Sequence, residues 1–267
     1  MITIGLVQLS AGESLAENLE ALLSFCREAG DQGCQAVCFP ECSLTGYRPE
    51  AAAERSVPSS HPVFDRISQA AAEFSLDILA GFMERDGDGF FITHGLFRRD
   101  GSRAFYRKTH LGRREEQFFT PGDTLPVFPL SCGLQAGFQL CVETHFPEIT
   151  QTLALKGAEL VFAPHGVPRV SGHRQQIWDK YIRARSYDNR LYMACCNLWD
   201  EDRFGGGCLL TDPRGETAAS CFGPGPRLLI CQVDEDLIRS YRTQGSKPSS
   251  HFYPARRRPE LYCSKSG

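Results

Sequence analysis

Long hydrophobic runs are missing from this 267-residue chain. Nothing approaches the roughly 18 consecutive apolar residues that a membrane span needs. The opening Met1-Ile2-Thr3-Ile4-Gly5 has neither the charged n-region nor the apolar h-region of a secretion signal, so residence in the cytoplasm is expected. An excess of positive charge is missing as well: 29 Lys and Arg stand against 32 Asp and Glu, a net charge of -3. Such a chain has no overall basic field to hold a phosphate backbone, which argues against nucleic acid as a partner. No CxxC pair occurs, no internal repeat, and no linker that would divide the chain. Hydrophobic residues make up 42%, enough for a sizeable core, which excludes a disordered or fibrous chain.

What is abundant is cysteine, at twelve residues. Without a secretion signal these read as reduced thiols packed as small hydrophobes rather than as a disulfide framework. Cys34, Cys38 and Cys42 are regularly spaced, but steps of four match neither a structural zinc pair nor an iron-sulfur pattern. The adjacent Cys195-Cys196 lies in an apolar segment and reads as core.

Strands and helices alternate along the chain. Ile2 to Leu9 alternates in the manner of a strand, and Ser14-Leu15-Ala16-Glu17 is a capping box opening a helix that runs to Gly30. Ala36 to Phe39 is a short buried strand stopped by Pro40, followed by a helix over Pro62 to Phe74. Strand-like runs follow at Asp77 to Met83, Gly89 to Phe97 and Arg103 to Lys108, the last two separated by Asp100-Gly101-Ser102. After a loop at Pro121-Gly122-Asp123 come a strand at Gly137 to Cys141, a helix from Pro147 to Gly157, and a strand at Leu160 to Ala163 closed by Pro164. A helix over Arg174 to Asn189 and strands at Leu191 to Cys196, Gly207 to Thr211 and Leu228 to Val233 finish the body. The order predicts an α/β layered protein with mixed strand pairing. From Arg242 onward the chain is rich in Ser, Pro and Arg and reads as a solvated or subunit-docking arm.

Three chemically useful residues fall at predicted strand ends: Glu41, Lys108 and Cys141. Layered α/β proteins gather their sites at such an edge. A carboxylate can take the proton of a thiol, and an ammonium favours thiolate and then the oxyanion formed when a carbonyl is attacked. The set points to acyl transfer. Each member also has an ordinary structural reading, as a loop carboxylate, a solvated strand end and a core thiol.

The surrounding blocks decide between these readings. Phe39-Pro40-Glu41 with Leu44-Thr45-Gly46-Tyr47, then Tyr106-Arg107-Lys108-Thr109-His110-Leu111, then Cys141 with Phe146-Pro147-Glu148 resemble the three catalytic blocks of the nitrilase superfamily of carbon-nitrogen hydrolases. They stand in that family's order. The resemblance continues through Phe119-Thr120-Pro121-Gly122-Asp123, Trp178, Arg183-Ala184 and Arg258-Pro259-Glu260-Leu261-Tyr262, and so spans nearly the whole chain.

The resemblance implies a four-layer αββα sandwich, one domain over 1–267 with 242–267 as a C-terminal arm, and a homodimer or higher even oligomer paired through the helical layer. It implies Glu41 as general base, Lys108 as oxyanion-stabilising ammonium and Cys141 as nucleophile, with the Val142 backbone N–H as a second oxyanion donor and no metal or organic cofactor. A second glutamate ahead of the Pro-Gly turn is implied too; Glu115 and Glu116 both qualify, and spacing to Gly122 favours Glu115. The expected activity is hydrolysis of a small amide through a cysteine thioester, with an N-carbamoyl compound as the alternative and a nitrile, or a non-catalytic interaction role, behind it. After the nucleophile the chain departs from the family's usual aromatic, acidic and arginine residues, with Val142, Glu143, Thr144 and His145 in their place. His145 reads either as a substrate-facing group or as a helix cap.

Overall fold

The computed structural model describes residues 1–244 and 247–262. In the first half, β1 (Ile2–Gln8), α1 (Leu15–Asp31), β2 (Ala36–Cys38), α2 (Ala52–Arg55), α3 (Val63–Glu73), β3 (Asp77–Asp86), β4 (Gly89–Phe97) and β5 (Arg103–Arg107) follow one another. The second half holds β6 (Val127–Pro129), β7 (Gln135–Phe138), α4 (Pro147–Leu155), β8 (Leu160–His165), α5 (Arg174–Asn189), β9 (Tyr192–Asn197), β10 (Cys208–Thr211), β11 (Thr217–Cys221), β12 (Arg227–Val233) and α6 (Glu235–Arg242).

Two six-stranded mixed sheets result, ordered β12-β1-β2-β3-β4-β5 and β11-β10-β9-β8-β7-β6. β1, β2 and β3 run parallel while the β3–β4–β5 meander and β12 run antiparallel to their neighbours. The central strands β2, β8 and β9 are buried on both faces, being apolar almost throughout. One cluster, with Leu6, Leu79, Met83, Phe138, Phe162 and Cys208, fills the space between the sheets. A second packs α1 and α3 on the outer face of the first sheet, and a third packs α4 and α5 on the outer face of the second. This is the expected αββα sandwich.

Local chemistry explains most boundaries. Ser14 and Glu17 form the predicted reciprocal cap of α1, Ser14 Oγ accepting from Glu17 N at 3.2 Å and Glu17 Oε2 from Ser14 N at 3.3 Å. Pro164 does not close β8, which continues to His165. Phe162 gives its carbonyl to Gln139 N on the β7 side, so Pro164, two residues on, turns its missing N–H to that side, beyond the end of β7. α2, β6, β11 and α6 are additional to the predicted elements. β11 is a mostly exposed edge strand of Thr, Ala and Ser, and α6 buries only Ile238. Asp234 caps α6, accepting from Asp236 N at 3.0 Å and Leu237 N at 3.3 Å, a signal present in the sequence.

The tail begins on its own chain rather than in solvent. Arg242 ends α6 and donates to the carbonyls of Arg190 at 2.8 Å and Ala158 at 2.6 Å. Phe252 joins the core beneath α4 and α5, and Pro254 is buried. Leu261 and Tyr262 are exposed. Positions 245–246 and 263–267 of the expected arm lie outside the described residues.

Candidate functional site

Glu41, Lys108 and Cys141 meet at one edge of the sandwich, each held by a backbone feature that the sequence dictates. Glu41 lies in the turn after β2. That turn packs onto β3 at Gly81, where a Cβ would come within 2.5 Å of Cys42 N and 2.9 Å of Pro40 O. Lys108 follows β5, its N–H given to Ile92 O and its carbonyl taken by Gly122 N, both at 2.8 Å. A Cβ on Gly122 would strike Arg107 O at 2.4 Å, so the Pro-Gly turn requires glycine.

Cys141 is not at a strand end. β7 stops at Phe138, and Cys141 opens a 3-10 turn, Cys141–His145, with φ of 47°. A non-glycine residue in that region stores about 1–2 kcal/mol, held by surrounding contacts. The main restraint is Glu143. Its buried carboxylate accepts from Leu140 N at 2.6 Å on one oxygen, and from Tyr106 OH, Thr109 N and Thr109 Oγ1 at 2.7 Å on the other. Tyr106 and Thr109 flank Lys108, so Glu143 ties the Cys141 turn to the strand end that positions the lysine.

Lys108 Nζ donates to Glu41 Oε1 at 2.7 Å and to both oxygens of Glu115 at 2.8 Å, with all three side chains essentially excluded from solvent. Tyr47 OH and Gly112 N donate to Glu115 at 2.6 Å each, which fixes that carboxylate behind the lysine. Glu116, the other candidate, is exposed and takes no part. Glu41 Oε2 is buried without a partner in hydrogen-bonding geometry, and the Cys141 thiol adjoins the same carboxyl. Gly166 closes the far side: a Cβ there would sit 3.1 Å from the Tyr47 ring and 3.2 Å from Glu41 Oε2.

One ammonium therefore serves two carboxylates. Burial, reinforced by Glu115 and opposed by Lys108, pushes the Glu41 carboxyl from 4.5 up to about 7. Burial would lower Lys108, but Glu41, Cys141 and Glu115 outweigh it, and the ammonium is held well above its usual range. The Cys141 thiol is raised, by burial first and Glu41 next, with Lys108 pulling the other way. The sequence suggested that Lys108 would favour a resting thiolate. Burial and the Glu41 carboxylate outweigh that effect, so thiol and carboxyl sit poised for a proton transfer between them.

Val142 N–H lies in the first turn of the 3-10 helix, where N–H groups lack intrahelical partners. His145 is exposed, packs on Tyr181 with tilted rings whose centroids are 4.6 Å apart, and makes no cap on α4. It borders a cavity of about 310 Å3 that Cys141 and Val142 also line. Tyr47, Glu143, Gly166 and Arg174 complete the site without having been singled out from sequence. Tyr47 and Glu143 lie inside or beside the quoted blocks, but their partners are distant in the chain. No cluster of metal-binding side chains occurs among the described residues.

The profile of the carbon-nitrogen hydrolase family matches residues 3–243. A Pyrococcus abyssi protein named nitrilase is 29% identical over 225 residues, covering 81% of this chain and 83% of its own length. An omega-amidase from Pongo abelii is 27% identical over 256 residues, covering 90% of this chain and 91% of its own. An amidase from Nesterenkonia sp. AN1 superposes with a TM-score of 0.84 at 25% identity, over 98% of each chain. A mutant structure of that amidase, with a TM-score of 0.80 at 25% identity over 91% of this chain and 97% of its own, carries acrylamide added to its active-site cysteine.

Proposed function

The chain belongs to the carbon-nitrogen hydrolase family, and from that premise we propose that it hydrolyses a small amide through a thioester on Cys141, releasing ammonia or an amine. The observation that carries the reading is the pairing of an open, buried Glu41 oxygen and the Cys141 thiol against Lys108.

Substrate enters the cavity beside Cys141 with its carbonyl toward Lys108. Glu41 takes the thiol proton as Sγ attacks the carbonyl carbon, and the developing oxyanion is stabilised by Lys108 Nζ and the Val142 N–H. The carbon-nitrogen bond breaks as Glu41 hands that proton to the leaving nitrogen. Water then gives a proton to Glu41 and attacks the thioester; the carbon-sulfur bond breaks and the thiolate recovers its proton from Glu41. A carboxyl near pH 7 suits a group that accepts and returns a proton twice per cycle. Glu115 holds the Lys108 ammonium in place through both its oxygens.

All eleven cysteines among the described residues are free thiols, which supports a reducing cytoplasm as the enzyme's compartment. Exposed Leu261 and Tyr262 support a homodimer. An ammonia-release screen over ω-amides, neutral aliphatic amides, N-carbamoyl compounds and nitriles tests the activity. Release from amides that vanishes in Cys141→Ala is expected. Activity confined to nitriles or carbamoyl compounds would redirect the reading, and none in any class would overturn it.

A further inference from the structure

The cavity beside Cys141 contains one permanent charge. Arg174, the first residue of α5, lines it together with His145, His165, Ile177 and Tyr181, and no acidic side chain borders it. Arg174 is only 8% exposed. Its Nη2 donates to the Ser171 carbonyl at 2.8 Å, its Nε is buried without a partner, and no carboxylate pairs with it among the described residues. Burying a guanidinium without a counter-ion is costly, so a carboxylate brought against Arg174 gains an unshared partner. The neighbouring imidazoles do not share the charge: burial, helped by Arg174, lowers His165 to about 3 and lowers His145 as well. Arg174 also borders a second cavity of about 400 Å3, with Arg169 and His173 and again no acidic residue, so the cationic character continues outward.

We propose that Arg174 binds a carboxylate of the substrate, making the natural substrate the ω-amide of a short dicarboxylic acid rather than a neutral aliphatic amide. The planar fork of arginine matches a carboxylate bidentately. A cavity of this size takes a chain of a few carbons between the carboxylate and an amide presented to Cys141. The product is then a dicarboxylate plus ammonia. This inference rests on the reading of Cys141 as the nucleophile of an amidase.

The test compares succinamate with butyramide, which are similar in length and differ in charge. In the unmodified enzyme kcat/KM for succinamate is expected to exceed that for butyramide by about 30-fold or more, the range of a charge-assisted pair. In Arg174→Gln that ratio collapses to within about threefold, chiefly through KM for succinamate, whereas Arg174→Lys keeps an intermediate ratio. A ratio near one in the unmodified enzyme, or a Gln variant that loses both substrates in proportion, would overturn the proposal. If the Gln variant fails to fold, an Arg174→Lys ratio equal to that of the unmodified enzyme counts against it. Calorimetric titration of succinamate into Cys141→Ala, with and without Arg174→Gln, separates the two readings. Arg174-dependent binding without turnover of any amide sinks the amidase reading and keeps the subsite; turnover of amides without Arg174-dependent binding does the reverse.

Discussion

At the residue scale the site is governed by a shortage of positive charge. Glu41 folds with its carboxyl raised from 4.5 to about 7, so the neutral form is the one the fold favours. That stabilisation is full below about pH 4.5 and is lost as pH rises through about 7. Glu41→Gln, which cannot titrate, should therefore gain melting temperature relative to the unmodified protein more at pH 8 than at pH 4; an equal difference at both would contradict the assignment. For the same reason kcat/KM should climb with pH through about 7, where Glu41 becomes able to accept the thiol proton. Lys108→Met should lower kcat about 10²- to 10³-fold, the range for one oxyanion donor. It also leaves Glu41 and Glu115 facing each other, a loss of about 3–5 kcal/mol for a broken buried pair. A change confined to KM in folded protein would remove Lys108 from the transition state. Glu115→Gln should cost kcat while Glu116→Gln is near neutral, because only Glu115 touches the ammonium.

At the scale of the element, the turn that opens at Cys141 is a strained piece clamped from outside. Cys141 at φ 47° occupies backbone space where glycine is easier than alanine. Both Cys141→Ala and Cys141→Gly should abolish turnover, with the Gly variant about 1 kcal/mol the more stable by urea melting. A less stable Gly variant would show that the turn is unstrained. The clamp itself is Glu143. Glu143→Gln replaces one accepting oxygen by an amide that faces a donor, and should cost about 2–3 kcal/mol and lower kcat more than KM. The opening blocks of the site were legible in sequence because their neighbours, Pro40 and the Pro121-Gly122 turn, act locally. The clamp was not, because Glu143 is defined by Tyr106 and Thr109 more than 30 positions earlier.

For the molecule as a whole, the tail divides into two parts with different physical tasks. Arg242 and residues 249–256 stitch α6 to α4 and α5 of the same chain, with the Arg190 guanidinium stacked on Tyr187, Tyr241 and Tyr253 at 4.1 to 5.1 Å. Truncation before Arg242 would therefore strip this protomer of its own packing and say little about assembly. Truncation after Arg256 removes residues 257–267, which include the exposed Leu261 and Tyr262. The expected result by light scattering is a dimer for the intact chain and a smaller species, of nearly unchanged melting temperature, for the shortened one; an intact monomer would end the dimer proposal.

The sequence by itself determined the alternation of strands and helices and the cap of α1, and it singled out Glu41, Lys108 and Cys141, which the fold brings together, since periodicity, capping chemistry and residue type are properties of short segments. Glu115 was favoured over Glu116 by spacing alone. Only the tertiary structure decided that Cys141 sits in a positive-φ turn, that Pro164 lies within a strand, and that Lys108 is shared by two carboxylates. The reason is common to all three. Charge balance, strand termination and backbone strain are set by groups on different elements, and a one-dimensional pattern holds no record of which donors, acceptors and chain ends the fold brings within bonding distance.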